Sequence, residues 1–285
     1  MNINDLNTGV ENTWCPGCGN FGLLTAFKQA VVELVDEGFK LKDFVMVSGI
    51  GCHAKIVDYV KLNSFYSLHG RTLSPATGIK LANPDLKVVA FAGDGDALGE
   101  GIAHTIFAAK RNSDITLVLH DNRIYGLTTG QFTPTSPKGF KGRSTPQGSV
   151  EEPLNAVELM LASGATFVAR GFTGNILQLK ELFKQAIKHN GFSFVDVLQP
   201  CFTFYNTLAV YQKDCYDLLD KNHDVTDFDD AMRFAREWNY EDGKKIPTGI
   251  FYDVEKPSFE EQELKGKNLK DEKVASVSDF LKSRM

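Results

Sequence analysis

No stretch of the chain approaches the ~18 uninterrupted apolar residues that a membrane-spanning helix needs, so a membrane partner is not expected. The N-terminus, MNINDLNTGVENTWCPGCGN, lacks the basic start and apolar core of a secretory signal, and a cytoplasmic protein is the simplest expectation. Basic charge is also short, with 31 Lys and Arg against 36 Asp and Glu and a formal net charge of -5. Binders of nucleic acid carry a basic stripe or face, so no nucleic-acid partner is expected. Cysteine is sparse and odd in number: Cys15, Cys18, Cys52, Cys201 and Cys215 do not describe a disulfide framework. Clustered thiols in a reducing compartment more often bind metal. No Gly-x-Gly-x-x-Gly opens a first strand-helix unit, which removes the usual dinucleotide signature. Internal repeats are missing as well.

What the chain does have is the composition of an ordinary globular protein, 42% hydrophobic and 24% charged over 285 residues, enough for one large domain or two small ones. Short β-branched or apolar runs occur at 44–51 (FVMVSGIG), 88–93 (VVAFAG), 115–122 (ITLVLHDN), 166–171 (TFVARG) and 192–199 (FSFVDVLQ), each bounded by Gly, Asp or Asn and each read as a buried strand. Between them lie helix-period stretches, among them FGLLTAFKQAVVELVDEG, LGEGIAHTIFAAKRN and GNILQLKELFKQAIKHNG. The alternation predicts an α/β fold, a mostly parallel sheet with helices on both faces and ligand groups at the carboxyl ends of the strands. Residues 125–152, rich in Thr, Pro, Gly, Ser and Lys, are too long for a plain connector and are expected to form a lid or a contact between subunits. After residue 253 the chain turns charged and poor in aromatics, as a flexible tail or one lying over a partner would.

Gly93-Asp94-Gly95-Asp96 closes a predicted strand, and Ala97-Leu98-Gly99-Glu100 opens a helix. Such a junction suits an anion: glycines admit close backbone approach, free N–H groups at the helix start face diphosphate oxygens, and Asp94 projects towards a divalent cation. A carboxylate beside a diphosphate makes sense only with a cation between them, and magnesium takes a few protein oxygens with the rest from phosphate and water. His120-Asp121-Asn122 ends the next strand and supplies a second candidate oxygen. Either piece alone can be a surface turn; their order, one crossover apart, argues for a joint site.

Trp14-Cys15-Pro16-Gly17-Cys18-Gly19-Asn20 places two thiols on a Pro/Gly loop at a spacing that lets both face one metal centre. Cys52, in Ser48-Gly49-Ile50-Gly51-Cys52-His53-Ala54-Lys55, and Cys201, after Gln199-Pro200, sit at two predicted strand ends, so four thiols can meet at one edge of the sheet. From the cysteines alone, structural zinc and an iron-sulfur cluster are both open, and a redox-active pair accounts for Cys15 and Cys18 only. Cys215, in the helix-like YQKDCYDLLDK, reads as a half-buried small residue.

In order, WCPGCGNFG, SGIGCHAKI, LHGR, IKLANPDLKVVAFAGDGD, DNRIYGLTTGQFTPT and DVLQPC resemble the beta subunits of 2-oxoacid:ferredoxin oxidoreductases over residues 14–201. The resemblance implies a thiamine-diphosphate-binding fold over 1–204, followed by a helical extension and charged tail over 205–285. It implies thiamine diphosphate, magnesium and one 4Fe-4S cluster as cofactors. Asp94, the Asn122 side chain and the Ile124 carbonyl would hold magnesium, with Gly95, Asp96, Gly126 and Leu127 near the diphosphate. Cys15, Cys18, Cys52 and Cys201 would hold the cluster. Ile50, Gly51, Cys52, His53 and His69 would touch the cofactor, His69 as a proton carrier, and Lys55 would meet the substrate carboxylate. Arg71 would help position Ile50 to His53 or a partner segment. Where some relatives have a basic residue in the following loop this chain has Thr129, which speaks against a second substrate carboxylate.

The implied reaction is oxidative decarboxylation of a 2-oxoacid with coenzyme A to acyl-CoA and carbon dioxide, with electrons passing to ferredoxin. The implied assembly is a hetero-oligomer whose alpha subunit supplies the pyrimidine-binding and coenzyme A-binding half. Two alternatives use only part of these residues: a non-redox thiamine-dependent decarboxylase or synthase ignores the cysteines, and a zinc-stabilised non-catalytic subunit ignores the diphosphate motif.

Overall fold

Apolar runs bounded by turn residues become the strands of a single large sheet. The computed structural model describes residues 1–241, 243–272 and 276–284. Its strands are β1 (Phe44–Ser48), β2 (Asn63–Tyr66), β3 (Lys87–Gly93), β4 (Thr116–Asp121), β5 (Ile124–Tyr125), β6 (Gln131–Phe132), β7 (Phe167–Phe172), β8 (Ser193–Leu198), β9 (Cys215–Asp217) and β10 (Ile246–Asp253). Eight of them form one sheet in the order β2-β1-β3-β4-β8-β7-β10-β9, and β5 and β6 pair separately as an antiparallel ribbon. Every neighbouring pair in the main sheet is parallel except β7 with β10.

Strands β3, β4, β7 and β8 are buried almost end to end, which explains their continuous apolar runs. Alternate side chains point to opposite layers. Val89 and Phe91 pack with Leu23, Phe27, Val31 and Phe183 of the helices Asn20–Asp36 and Ile176–Lys188. Val88, Ala90 and Ala92 pack on the other face, against the helices Leu73–Ala82, Ile102–Arg111, Ala156–Ala162 and Phe228–Ala235. The expected sheet with helices on both faces is therefore present.

Segments beyond residue 204 follow a different course from the helical extension expected there. They include the helix Leu208–Asp214 and the helix Phe228–Ala235, but also β9 and β10 of the main sheet. The buried face of Phe251 finds its partners on the sheet, not within a separate unit. Residues 256–260 are tied back to the body as well. Asn112 Nδ2 donates to the Lys256 and Pro257 carbonyls at 3.1 and 3.2 Å, and the Asp114 N–H donates to Glu260 Oε2 at 2.9 Å. Residues 242, 273–275 and 285 of that expected extension lie outside the described residues. Among the described residues no helix is long and apolar enough to cross a membrane.

Successive connections leave β1 in one direction to β2 and in the other to β3 and β4, so the order reverses between β1 and β3. At such a switch point the loops beyond the carboxyl ends splay apart and open a crevice.

Candidate active site

The crevice is a narrow cleft of about 70 Å³, partly open to solvent. It is lined from three strand ends: Ile50, Gly51, Cys52 and His53 after β1; Gly93 to Asp96 after β3; and His120, Asn122 and Ile124 to Thr128 at and after β4, with His69 completing the rim. The motifs separated in sequence thus share one cavity.

Asp94 caps a π-helical turn, Gly95–Glu100, and is almost fully buried. Its Oδ2 accepts from the Thr133 hydroxyl and, at 2.7 Å, from Thr135 Oγ1. Burial pushes its carboxyl up to about 6 although both threonine hydroxyls favour the charged form. A buried carboxylate with so raised a proton affinity suits a divalent cation, whose charge would offset the burial. Asn122 bends back so that its Oδ1 accepts the Ile124 N–H at 3.0 Å. A Cβ added to Gly126 would come no closer than 3.6 Å to Cys52 Sγ and 3.7 Å to Asn122 Nδ2, which leaves room over the backbone at that point.

Asp96 does something other than face the cleft with a free carboxylate. It accepts the Gly70 N–H at 2.6 Å and Thr72 Oγ1 at 3.2 Å, and contacts His53 Nε2 at 3.4 Å and His69 Nδ1 at 3.3 Å. Burial raises its carboxyl, but His53, the Gly70 N–H and His69 outweigh that and hold it below the usual range. Asp96 therefore pins the His69 segment onto the β3 end. A Cβ at Gly49 would fall 1.8 Å from Asp96 Oδ2, so only glycine fits there.

Lys55 is tied to the start of the cysteine loop. Its Nζ donates to Thr13 Oγ1 at 2.8 Å, beside the cysteine loop, and it does not line the cleft. Arg71, for which a positioning role was expected, donates from Nη1 to the Gly70 carbonyl at 3.2 Å.

The four thiols fall in one neighbourhood, within electrostatic reach of one another. Burial pushes the Cys18 thiol up to about 11; the Asn20 N–H opposes this, and Cys201, Cys52 and Cys15 each add to the rise, so all three lie within electrostatic reach of Cys18. Cys52 is raised by burial and then by Cys201, with Lys55 opposing. Packing fixes this neighbourhood. The Gly19 N–H donates to the Pro200 carbonyl at 3.2 Å, Gln199 Nε2 reaches Cys18 Sγ at 3.5 Å, and Cys201 and Tyr205 exchange backbone hydrogen bonds at 3.3 and 2.9 Å. Trp14 Nε1 donates to the Cys52 carbonyl at 2.7 Å and ties the cysteine loop to the cleft wall. Cys215 stands apart on β9. All five cysteines are free, and among the described residues no group of three or more His, Cys, Asp or Glu side chains is set to hold a single metal ion.

Several residues of the site escaped the sequence reading. His120 lines the cleft with Nε2 unpartnered and Nδ1 2.8 Å from Asn20 Oδ1; burial, with nearby His53, holds it well below the usual imidazole range, hence neutral. Its adjacency to Asp121-Asn122 was the available signal. Thr133 and Thr135 come from the 125–152 segment and serve Asp94, so the start of that segment is wall and not lid. Asp121 turns away from the cleft: it accepts from Tyr240 OH at 2.7 Å, its Oδ1 lies 2.8 Å from Thr135 Oγ1, whose one proton already goes to Asp94, and burial with the Asp196 and Asp94 charges holds it well above the usual carboxylate range. Arg123 sits beneath, its guanidinium over the rings of Tyr205, Trp238 and Tyr240.

The cleft lies at the switch point of a doubly covered parallel sheet, and residues 49–197 match the family described as thiamine pyrophosphate enzyme, C-terminal TPP binding domain, which makes this a thiamine-diphosphate-binding fold. Residues 200–267 match the family for the C-terminal part of pyruvate ferredoxin oxidoreductase beta subunits, which extends the likeness past residue 201. The chain is 46% identical over 266 residues to the 2-oxoacid:ferredoxin oxidoreductase subunit beta of Sulfolobus sp, covering 88% of this chain and 85% of that one. It is 37% identical to the 2-oxoglutarate synthase subunit KorB of Methanocaldococcus jannaschii, covering 89% and 92%. A solved 2-oxoglutarate:ferredoxin oxidoreductase from Magnetococcus marinus, with 2-oxoglutarate, coenzyme A and succinyl-CoA bound, superposes with a TM-score of 0.90 at 36% identity, over 100% of this chain and 96% of that one. This chain belongs to the family of 2-oxoacid:ferredoxin oxidoreductase beta subunits.

Proposed function

We propose that this chain is the cofactor-binding, cluster-bearing half of a hetero-oligomer that converts a 2-oxoacid and coenzyme A into acyl-CoA and carbon dioxide and delivers two electrons to ferredoxin. The observation that carries the reading is the double membership of Cys52, which lines the diphosphate cleft and lies within reach of the other thiols. A redox centre held there adjoins the site of oxidation, and the link fails to explain itself in a non-redox thiamine enzyme.

In this reading Asp94, the Asn122 side chain and the Ile124 carbonyl hold magnesium, and Gly95, Gly126 and Leu127 border the diphosphate. When bound, thiamine diphosphate supplies the electron sink for decarboxylation. The unpartnered Nε2 of neutral His120, whose proton goes from Nδ1 to Asn20 Oδ1, is an acceptor inside the cleft, and His69, half exposed at its rim, is the group positioned to exchange a proton with solvent. Asp96 orients His53 and His69. Lys55 at the edge is the cation available to a substrate carboxylate once it leaves Thr13. Cys15, Cys18, Cys52 and Cys201 hold a 4Fe-4S cluster as thiolates, since an iron core takes the place of the protons that burial otherwise retains. The pyrimidine-binding half of the site comes from an alpha subunit.

The test is anaerobic co-purification with the alpha subunit, followed by metal, sulfide and thiamine analysis and by ferredoxin reduction with pyruvate, 2-oxoglutarate and branched 2-oxoacids. Cys201→Ala is expected to lose iron and ferredoxin reduction while keeping thiamine diphosphate. Zinc in place of iron and sulfide, or full iron in that variant, overturns the cluster assignment.

A further inference from the structure

The four segments that carry or border the thiols, 12–32, 44–57, 122–150 and 197–213, contain no Asp or Glu at all, in a chain that has 36 of them. Carboxylates resume at Glu151 and Glu152, directly after the third segment, and Glu152 is held by Lys138. Three of these segments are knitted into one surface. Phe202 packs beneath Gly17, with ring carbons 3.5 to 3.7 Å from a Cβ at that glycine; Phe204 lies 3.2 Å from a Cβ at Gly130; and the Phe140 ring meets Tyr205 edge-on at 5.5 Å. Phe202 and Phe204 are each 40% exposed, and Cys15 is exposed beside them. Lys138, Lys141 and Arg143 stand on the loop that Phe140 anchors. Lys138 pairs with Glu152, whereas Lys141 and Arg143 are exposed and make no ion pair among the described residues.

We propose that the loop 137–145 and the 201–205 turn form the docking face for a small acidic electron-carrier protein. This rests on the cluster reading above and names the partner surface of that same centre. Two exposed phenylalanines give an apolar contact, unpaired cations beside them attract an acidic carrier, and the loop and turn themselves add no carboxylate to oppose its approach. A compact contact of this kind suits a transient electron-transfer encounter, which buries less surface than a lasting complex. Each encounter removes one electron, and two complete a turnover: 2-oxoacid anion, CoA-SH and two oxidised carriers give acyl-CoA, carbon dioxide, two reduced carriers and one proton.

The experiment uses the assembled enzyme with Lys141→Glu and Arg143→Glu combined, assayed with an acidic ferredoxin and, separately, with methyl viologen as a small cationic acceptor. The expected result is a KM for ferredoxin raised about tenfold at low salt, a flattened salt dependence, and unimpaired viologen reduction. Lys141→Gln with Arg143→Gln is expected to fall between. An unchanged ferredoxin KM overturns the docking face, and so does loss of the alpha subunit from the double variant, because the face then belongs to the contact between subunits. Absence of viologen reduction by the wild-type enzyme with every 2-oxoacid overturns the enzymatic reading instead, so the two failures are distinct.

Discussion

Replacing Asp94 by Asn is expected to stabilise the chain without magnesium and thiamine diphosphate and to destabilise it, relative to wild type, with them. Burial raises the Asp94 carboxyl from 3.8 to about 6 in the folded chain. At about 1.4 kcal/mol per tenfold change in proton affinity, the ionised group costs the folded state on the order of 3 kcal/mol. Because the folded value lies above the unfolded one, the penalty is absent below pH 3.8, grows through the interval to about 6, and is complete above it. Asp94→Asn removes the charge, and the Thr133 and Thr135 hydroxyls can turn to accept from the amide. A gain of about 1 to 3 kcal/mol at pH 8 is therefore expected, vanishing towards pH 4, after allowance for an imperfect amide fit. Cofactor reverses the order. A ligand at a thousand times its Kd stabilises the protein that binds it by about 4.1 kcal/mol, more than the whole of that gain, and the variant forgoes that term. Urea unfolding at pH 8 and pH 4.5, with and without magnesium and thiamine diphosphate, measures all four cases. A variant less stable than wild type in the cofactor-free pair at pH 8, or one stabilised as much as wild type by the cofactors, refutes the reasoning.

Two further outcomes follow from the thiol cluster and its anchor. Trp14→Phe keeps an aromatic ring for Phe21 and Tyr59 but removes the donor to the Cys52 carbonyl, and should lower stability by about 1 to 2 kcal/mol in urea unfolding and speed iron loss to a chelator; identical midpoints and iron release would show that the link carries no strain between the two half-sites. Cys215→Ser should leave iron, sulfide and visible absorption at wild-type levels, since Cys215 lies on β9 away from the other four, and iron lost from this variant would redraw the ligand set.

Much of the site was legible because its parts are local. Gly93 to Asp96, Asp121-Asn122 and Cys15 to Cys18 are short backbone devices whose residue types carry their chemistry with them. Side-chain direction was not local. Asp96 belongs to Gly70, Thr72 and His53, and Lys55 belongs to Thr13. Asp121 belongs to Thr135 and Tyr240, the latter 119 residues away. No periodicity reports such partners, because the competing orientations differ only in what the rest of the fold brings near.

The chain alone determined its buried parallel strands, where β-branched runs with no polar face admit little but a sheet covered on both sides. It also placed Gly93 to Asp96 and Asp121-Asn122 at strand ends. The outer strands were another matter: β2, at one edge, is exposed along its whole length, and β10, next to the other edge strand β9, carries Pro247 and Gly249, so neither advertises a strand until a neighbour offers its free backbone groups. Only the tertiary structure decided that Cys52 lines the cleft while lying in electrostatic reach of Cys201 and Cys15, since that depends on β1, β3 and β4 ending side by side at the point where strand order reverses.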